Sequence, residues 1–168
     1  HLVLTVIFVI FPFMMMSEFN VSTENQWKFY ISSLIVSLLF SGPLIMSDDR
    51  KKKKMSLIYP IAFLLFSQII LIMGEGSSLL LFSSLLVFFI SFNYLEATLP
   101  SRISIFSKKE IKGATLGVFS SCQFLGAFFG GLIGGILIGL FEPSQGHFLL
   151  TIIIFIWFFI MVAFRKDL

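Results

Sequence analysis

The chain has 168 residues, of which 57% are hydrophobic and only 12% are charged. A soluble domain of this length would have too few polar residues to cover that much apolar surface, so the composition favours an integral membrane protein. The net charge of +3 does not indicate a nucleic-acid partner, because the basic residues lie in short segments between apolar runs. One cysteine and two histidines do not favour a disulfide or a metal site, and no cofactor is implied.

The chain starts with His1 and runs directly into apolar sequence, without an initiating methionine or a small-residue cleavage site. We therefore expect residues 1–16 to belong to a truncated transmembrane helix and not to a signal peptide. On this interpretation the chain is a fragment of a longer protein.

Continuously apolar runs of about 20 residues are typical of transmembrane helices, whereas β-barrel strands alternate in polarity. The sequence predicts six such helices, near residues 2–17, 27–46, 56–73, 78–99, 114–141 and 147–164. The connections between them are short, so we expect neighbouring helices to run antiparallel.

The charges predict the orientation of these helices. Of the 12 Lys and Arg residues, 11 lie at alternate connections or at the C-terminus, and only Lys28 lies on the other side. By the positive-inside rule, loops 47–55 and 100–113 and the C-terminus are expected to be cytoplasmic. We expect a multi-pass protein of the bacterial inner membrane.

Glycine is concentrated in the fifth run, where residues four apart share one helix face. Such stripes let two helix backbones approach closely in lipid, and we expect either static packing or sliding between helices. Pro12 and Pro43 lie inside runs and predict bent helices, either static or moving. The candidate packing residues are Gly113, Gly117, Gly126, Gly130, Gly131, Gly134 and Gly135.

Polar residues are unevenly distributed among the runs. The third and sixth runs are mostly apolar, and the sixth is expected to face lipid. The second, fourth and fifth contain serines and amides, and we expect these three helices to bound a polar path. The candidate lining residues are Ser37, Asn93, Tyr94, Ser120 and Gln123.

Glu96 is the one acidic residue inside a predicted span, where a charged carboxylate is costly. Three roles are open. It could carry a proton, because burial favours the neutral form of a carboxylic acid. It could hold or gate helices by pairing with a basic residue such as Arg102, or it could lie close enough to the interface to stay hydrated.

Three segments carry a family resemblance: Phe92–Ser101 (FNYLEATLPS), Lys112–Ser121 (KGATLGVFSS) and Gln123–Gly131 (QFLGAFFGG). They resemble the C-terminal half of major facilitator superfamily transporters, in particular the YajR-like branch, which is similar to drug–proton antiporters. The segment Gly42–Lys54 (GPLIMSDDRKKKK) partly resembles the basic loop motif of that superfamily. The spacing is longer here and the internal glycine is missing. Asp49 and Arg50 are its gating candidates.

The resemblance implies an all-α membrane protein whose six helices form half of this fold. That half would be an inverted 3+3 repeat of about residues 1–73 and 78–164, with the N-terminal six-helix half missing from the chain. The implied function is secondary transport, with proton-coupled efflux of a small organic solute or drug by alternating access. The implied partners are that solute, protons, the lipid bilayer and the N-terminal half.

Three other functions are compatible with parts of this pattern to different degrees. An uptake permease would share the fold, and a six-helix scaffold would share it without transport activity. A membrane enzyme would need a nucleophile with a base, or a metal cluster, and the two histidines are expected on opposite sides of the membrane. We therefore expect no enzyme.

Overall fold

The structure, a computed structural model, describes the backbone of residues 1–50, 57–74 and 76–163, and the side chains of the same residues apart from 49 and 50. This part of the chain is helical and contains no strand. The α-helices are α1 (Leu2–Ser17), α2 (Thr23–Arg50), α3 (Ile58–Met73), α4 (Ser78–Phe106), α5 (Lys112–Leu140) and α6 (Pro143–Ala163), and a short 3-10 turn, Lys109–Ile111, precedes α5.

Among the described residues, four helices are long and apolar enough to cross a bilayer, namely α2, α4, α5 and α6. The helices α1 and α3 are also apolar, but each has 16 residues. That corresponds to about 24 Å, which is less than the roughly 30 Å of a hydrocarbon core. The prediction of a multi-pass helical membrane protein is confirmed, while the number of six spans stays a prediction.

Helices α2 and α4 extend beyond the predicted apolar runs 27–46 and 78–99. Helix α4 continues past Pro100 to Phe106, where Ser107 takes an extended conformation and donates its N–H to the Ile103 carbonyl. Most of the predicted 100–113 connection is therefore helical. Apolar runs mark the depth of the membrane, whereas a helix ends only where its last carbonyls are capped.

The helices pack in a defined set of pairs. Helix α1 lies on α5 and α6, α2 lies on α4, and α3 lies between α4 and α6. The core at these contacts is aliphatic and aromatic, and its most buried members include Val6, Ile10, Leu81, Leu85, Leu150 and Ile154. Arg102, Lys108, Lys109 and Lys112 lie at one end of the bundle, which we call the basic end. The opposite end contains Glu18, Glu24 and Glu142.

Three of the predicted glycines form the contact between α5 and α1. A Cβ atom at Gly130 would lie 2.5 Å from the Leu2 carbonyl oxygen, and one at Gly134 would lie 2.9 Å from Val9 Cβ. Gly126 faces the Leu2 backbone nitrogen in the same way. At Gly113, Gly117 and Gly135 a Cβ would meet nothing within 4 Å, so their predicted packing role does not involve the described part of the chain.

Helix α2 has a stripe of small residues at the same four-residue spacing. Ser33, Ser37 and Ser41 are fully buried, and α2 packs mainly on α4. Small side chains let two helices approach closely in lipid, as glycine does on α5. The α1–α5 and α2–α4 contacts are thus both built on small residues.

Replacing Gly130 by Ala is expected to destabilise the full-length protein by about 2 kcal/mol, because a methyl group cannot fit against the α1 backbone. The thermal midpoint in detergent, followed by size-exclusion chromatography, measures this. Gly131→Ala is the matched control, since its Cβ would meet Thr5 Cγ2 at an ordinary 3.9 Å. Equal midpoints for the two variants would contradict the assigned contact.

Candidate functional site

Glu96 lies in a polar cluster built from three segments. Its carboxylate accepts hydrogen bonds from the Gln123 amide nitrogen, at 3.2 Å to Oε1 and 3.4 Å to Oε2. The His1 Nε2 atom lies 3.0 Å from Glu96 Oε2 and 2.8 Å from Gln123 Nε2. Helices α4 and α5 and the residue that precedes α1 therefore meet at one carboxylate.

The glycine contact explains this arrangement. Gln123 lies three residues before Gly126, so the close approach of α1 to α5 brings His1, the residue before α1, beside the Gln123 amide. The His1 ring also packs edge-on against Phe92 of α4, with ring centroids 5.8 Å apart. The sequence singled out Glu96 and Gln123, but it contained no signal that would place His1 with them.

A cavity of about 370 Å³ adjoins this cluster. This volume lies in the range of small-molecule sites, which are mostly apolar with a few placed polar groups. The Glu96 side chain is 45% exposed. The polar lining includes Glu96, Gln123 and Cys122, and the aromatic lining comes from Phe88, Phe92, Phe119 and Trp157. The arrangement offers acceptor oxygens and aromatic surface to a small organic solute.

The other predicted lining residues lie elsewhere. The Asn93 amide donates to Ser37 Oγ at 3.0 Å, which links α4 to α2. Tyr94 is buried, with 2% of its surface exposed. Ser120 is exposed and lies outside the cavity lining. These residues are not part of the cavity wall beside Glu96, and a polar path among α2, α4 and α5 stays a prediction.

At the basic end, an ion pair joins α2 to α4. Arg102 Nη2 lies 3.3 Å from Asp48 Oδ2, and the Asp48 side chain is only 4% exposed. Arg102 Nη2 also donates to the Tyr94 hydroxyl at 3.4 Å. Arg102, which the sequence offered as a partner for Glu96, therefore pairs with Asp48. We call this group the Asp48–Arg102 clamp.

The predicted gating candidates, Asp49 and Arg50, are adjacent to this clamp, but their side chains lie outside the described residues. The sequence does contain a pattern that indicates Asp48 as a residue facing α4. Asp48 follows Ser41 by seven residues, so it continues the face that carries Ser33, Ser37 and Ser41. Helical spacing therefore favours Asp48 over Asp49 as the residue that faces α4.

A further buried polar group joins α3 and α6, the helices of the mostly apolar third and sixth runs. His147 of α6 is 2% exposed, and its Nε2 atom lies 2.8 Å from Gln68 Oε1 of α3. The Gln68 amide nitrogen donates to Ser67 Oγ at 2.8 Å, and Ser84 of α4 donates to the Ser67 carbonyl at 2.8 Å. Helix α6 thus faces α3 through a buried histidine, which the sequence interpretation missed.

Comparisons with known proteins assign the sequence to a family. The model of the Major Facilitator Superfamily matches residues 1–167. The inner membrane transport protein YajR of Escherichia coli (strain K12) is 31% identical over 150 residues, which cover 89% of this chain and 33% of YajR.

Two transporters of Buchnera aphidicola also match. An uncharacterized transporter from subsp. Acyrthosiphon pisum is 34% identical over 134 residues, covering 77% of this chain and 33% of that protein. One from subsp. Baizongia pistaciae is 30% identical over 167 residues, covering 98% of this chain and 42% of that protein. The chain thus spans 33% to 42% of the length of these relatives. From the family model and these identities, the chain belongs to the Major Facilitator Superfamily of membrane transporters.

Proposed function

We propose that the chain is the C-terminal six-helix half of a secondary transporter that couples proton entry to the export of a small organic solute or drug by alternating access. One observation carries this proposal: the Glu96–Gln123 pair lies in the wall of a cavity of solute size. The family supports transport of small molecules across a bilayer. The proposals of export and of proton coupling rest on the resemblance of the segments within residues 92–131 to the YajR-like branch, which is similar to drug–proton antiporters.

The packing pairs support an inverted 3+3 repeat of about residues 1–73 and 78–164. If α1–α3 are exchanged with α4–α6, the α1–α5 contact becomes the α4–α2 contact. The α3–α4 contact becomes α6–α1 in the same way, and α3–α6 becomes itself. The small-residue stripes on α5 and α2 also exchange. Repeats of this kind are common in secondary transporters.

We place the N-terminal six-helix half in the part of the protein outside this chain, since the relatives are more than twice as long. Large apolar side chains on α2 and α5 are exposed, including Leu39, Phe124 and Phe128. Such surfaces suit lipid or another helical half. We assign the protein to the bacterial inner membrane, the location that the name of YajR gives for that relative, with the basic end in the cytoplasm.

Protonation of Glu96 would change the contact between α4 and α5. As a carboxylate, Glu96 accepts the Gln123 amide on both oxygens. A protonated acid is a weaker acceptor and becomes a donor itself, so the link to Gln123 would weaken. Proton binding would then loosen α4 from α5 beside the cavity, where a solute could compete for the same oxygens.

Cys122 provides a test that does not require the solute to be known, because it lines the same cavity as Glu96. We expect a membrane-impermeant maleimide to react with Cys122 in the full-length protein after its other cysteines are replaced by serine. The matched control is Cys122→Ser with Phe155→Cys, because Phe155 lies on α6 and is 50% exposed.

The control position is expected to face lipid and to react only with a membrane-permeable maleimide. If the impermeant maleimide labelled Cys122 no more than it labels the Phe155→Cys position, an aqueous path beside Glu96 would be contradicted.

A further inference from the structure

A second cavity lies at the opposite end of the bundle from the Asp48–Arg102 clamp. Its volume is about 200 Å³, and it lies where α1 and α3 end and α6 begins. Glu18 and His1 are separated by the whole length of α1, about 25 Å, so this cavity is distinct from the Glu96 site. Its walls include Met14, Glu18, Phe19, Leu71, His147 and Phe148.

The hydrogen bonds around His147 determine which ring nitrogen carries the proton. Ser67 Oγ donates to the Leu64 carbonyl at 2.6 Å, so it must accept from the Gln68 amide nitrogen. The Gln68 oxygen then faces His147, and Nε2 of His147 is the donor at 2.8 Å. The other nitrogen, Nδ1, is an acceptor and has no hydrogen-bond partner among the described residues.

Among the described residues, the one charged side chain in the wall of the cavity is acidic. The Glu18 carboxylate forms part of the wall. Helices α1 and α3 direct their C-terminal carbonyl ends to this region, and such ends favour cations. The N-terminus of α6 favours anions instead. Its effect is opposed by the two C-terminal helix ends and by the Glu18 carboxylate. The cavity therefore favours a ligand that is positively charged and donates hydrogen bonds.

We propose that this cavity binds a small amphipathic ammonium ion. The ammonium group would be held by the Glu18 carboxylate and by Nδ1 of His147, and the hydrocarbon part would contact Met14, Phe19 and Phe148. A cavity of about 150 Å³ with apolar walls can hold benzene, so about 200 Å³ suits an arylammonium ion such as benzylammonium. The site is separate from the proposed transport path, and its test does not depend on transport.

The test measures benzylammonium binding to the full-length protein in nanodiscs by isothermal titration calorimetry, with empty nanodiscs subtracted. Benzyl alcohol serves as the neutral probe of the same shape. We expect saturable binding of benzylammonium and none of benzyl alcohol. Glu18→Gln is expected to weaken binding about ten-fold or more, because a charge-assisted hydrogen bond is lost. Glu24→Gln, at the same end of the bundle, is the matched control and should bind as the wild type does.

Two variants of His147 separate ligand binding from folding. His147→Gln keeps a polar group at the position of Nε2, so the link to Gln68 is retained while the Nδ1 acceptor is lost. His147→Asn keeps a polar group at the position of Nδ1 and loses the link. We expect His147→Gln to keep the thermal midpoint and lose affinity. Unchanged affinity in Glu18→Gln, or equal binding of benzyl alcohol, would overturn the proposal whether or not the His147 variants fold.

Discussion

Replacing Glu96 by Gln in the full-length protein is expected to abolish solute transport driven by a pH gradient while solute exchange continues. Glutamine has the same shape and keeps hydrogen-bonding groups toward Gln123, but it cannot bind and release a proton. Exchange of internal for external solute requires no net proton movement. Both rates are measured with one labelled solute in proteoliposomes, with and without an imposed pH gradient.

The matched control is Glu110→Gln, because Glu110 is also acidic but lies in the exposed 3-10 turn at the basic end. It should retain both activities. If Glu96→Gln retained pH-driven transport at the wild-type rate, Glu96 would hold helices together and would not carry the proton.

Asp48→Ala is expected to destabilise the protein by about 3 kcal/mol, because it removes the buried carboxylate that pairs with the Arg102 guanidinium at 3.3 Å. The clamp joins the ends of α2 and α4, which pack extensively on each other. The thermal midpoint of the full-length protein in detergent measures the effect.

The double variant Asp48→Ala with Arg102→Ala should recover much of the lost stability, since both buried charges are then removed. Glu110→Ala is the surface control and should leave the midpoint unchanged. An unchanged midpoint in Asp48→Ala would show that the clamp contributes little to the stability of the bundle.

The fold class could be predicted because bilayer thickness dictates the length of apolar runs. The helix ends could not, because Pro100 lies inside α4 and the chain continues as a helix to Phe106. Proline removes one backbone donor, and membrane helices tolerate that loss when neighbouring groups compensate. Hydropathy alone does not report on such local hydrogen bonding.

The candidate site could be predicted in part. The sequence indicates Glu96 and Gln123 because polar groups inside apolar runs are costly, and the structure brings them together. The same argument indicates Tyr94, yet Tyr94 lies with the Asp48–Arg102 clamp. Neighbouring residues on a helix point about 100° apart, so the partner of each side chain depends on which helix lies opposite. That information is contained in the packing pairs and not in the composition of α4.

His147 shows a further limit of sequence reasoning. The third and sixth runs are mostly apolar and the sixth is expected to face lipid, but Gln68 and His147 satisfy each other across the α3–α6 contact. Two polar residues 79 positions apart give no local pattern. Their pairing follows only from the fold, since buried polar groups need partners wherever the packing places them.

The central claim is that this chain forms half of a proton-coupled transporter with Glu96 beside the solute path. The most direct measurement is solute flux through the purified full-length protein in liposomes, screened over labelled organic solutes with a pH gradient imposed and then collapsed by a protonophore. We predict that at least one solute accumulates against its concentration gradient, and that this accumulation is lost when the pH gradient collapses. Accumulation that is indifferent to the pH gradient, or flux no greater than in protein-free liposomes for every solute, would contradict the claim.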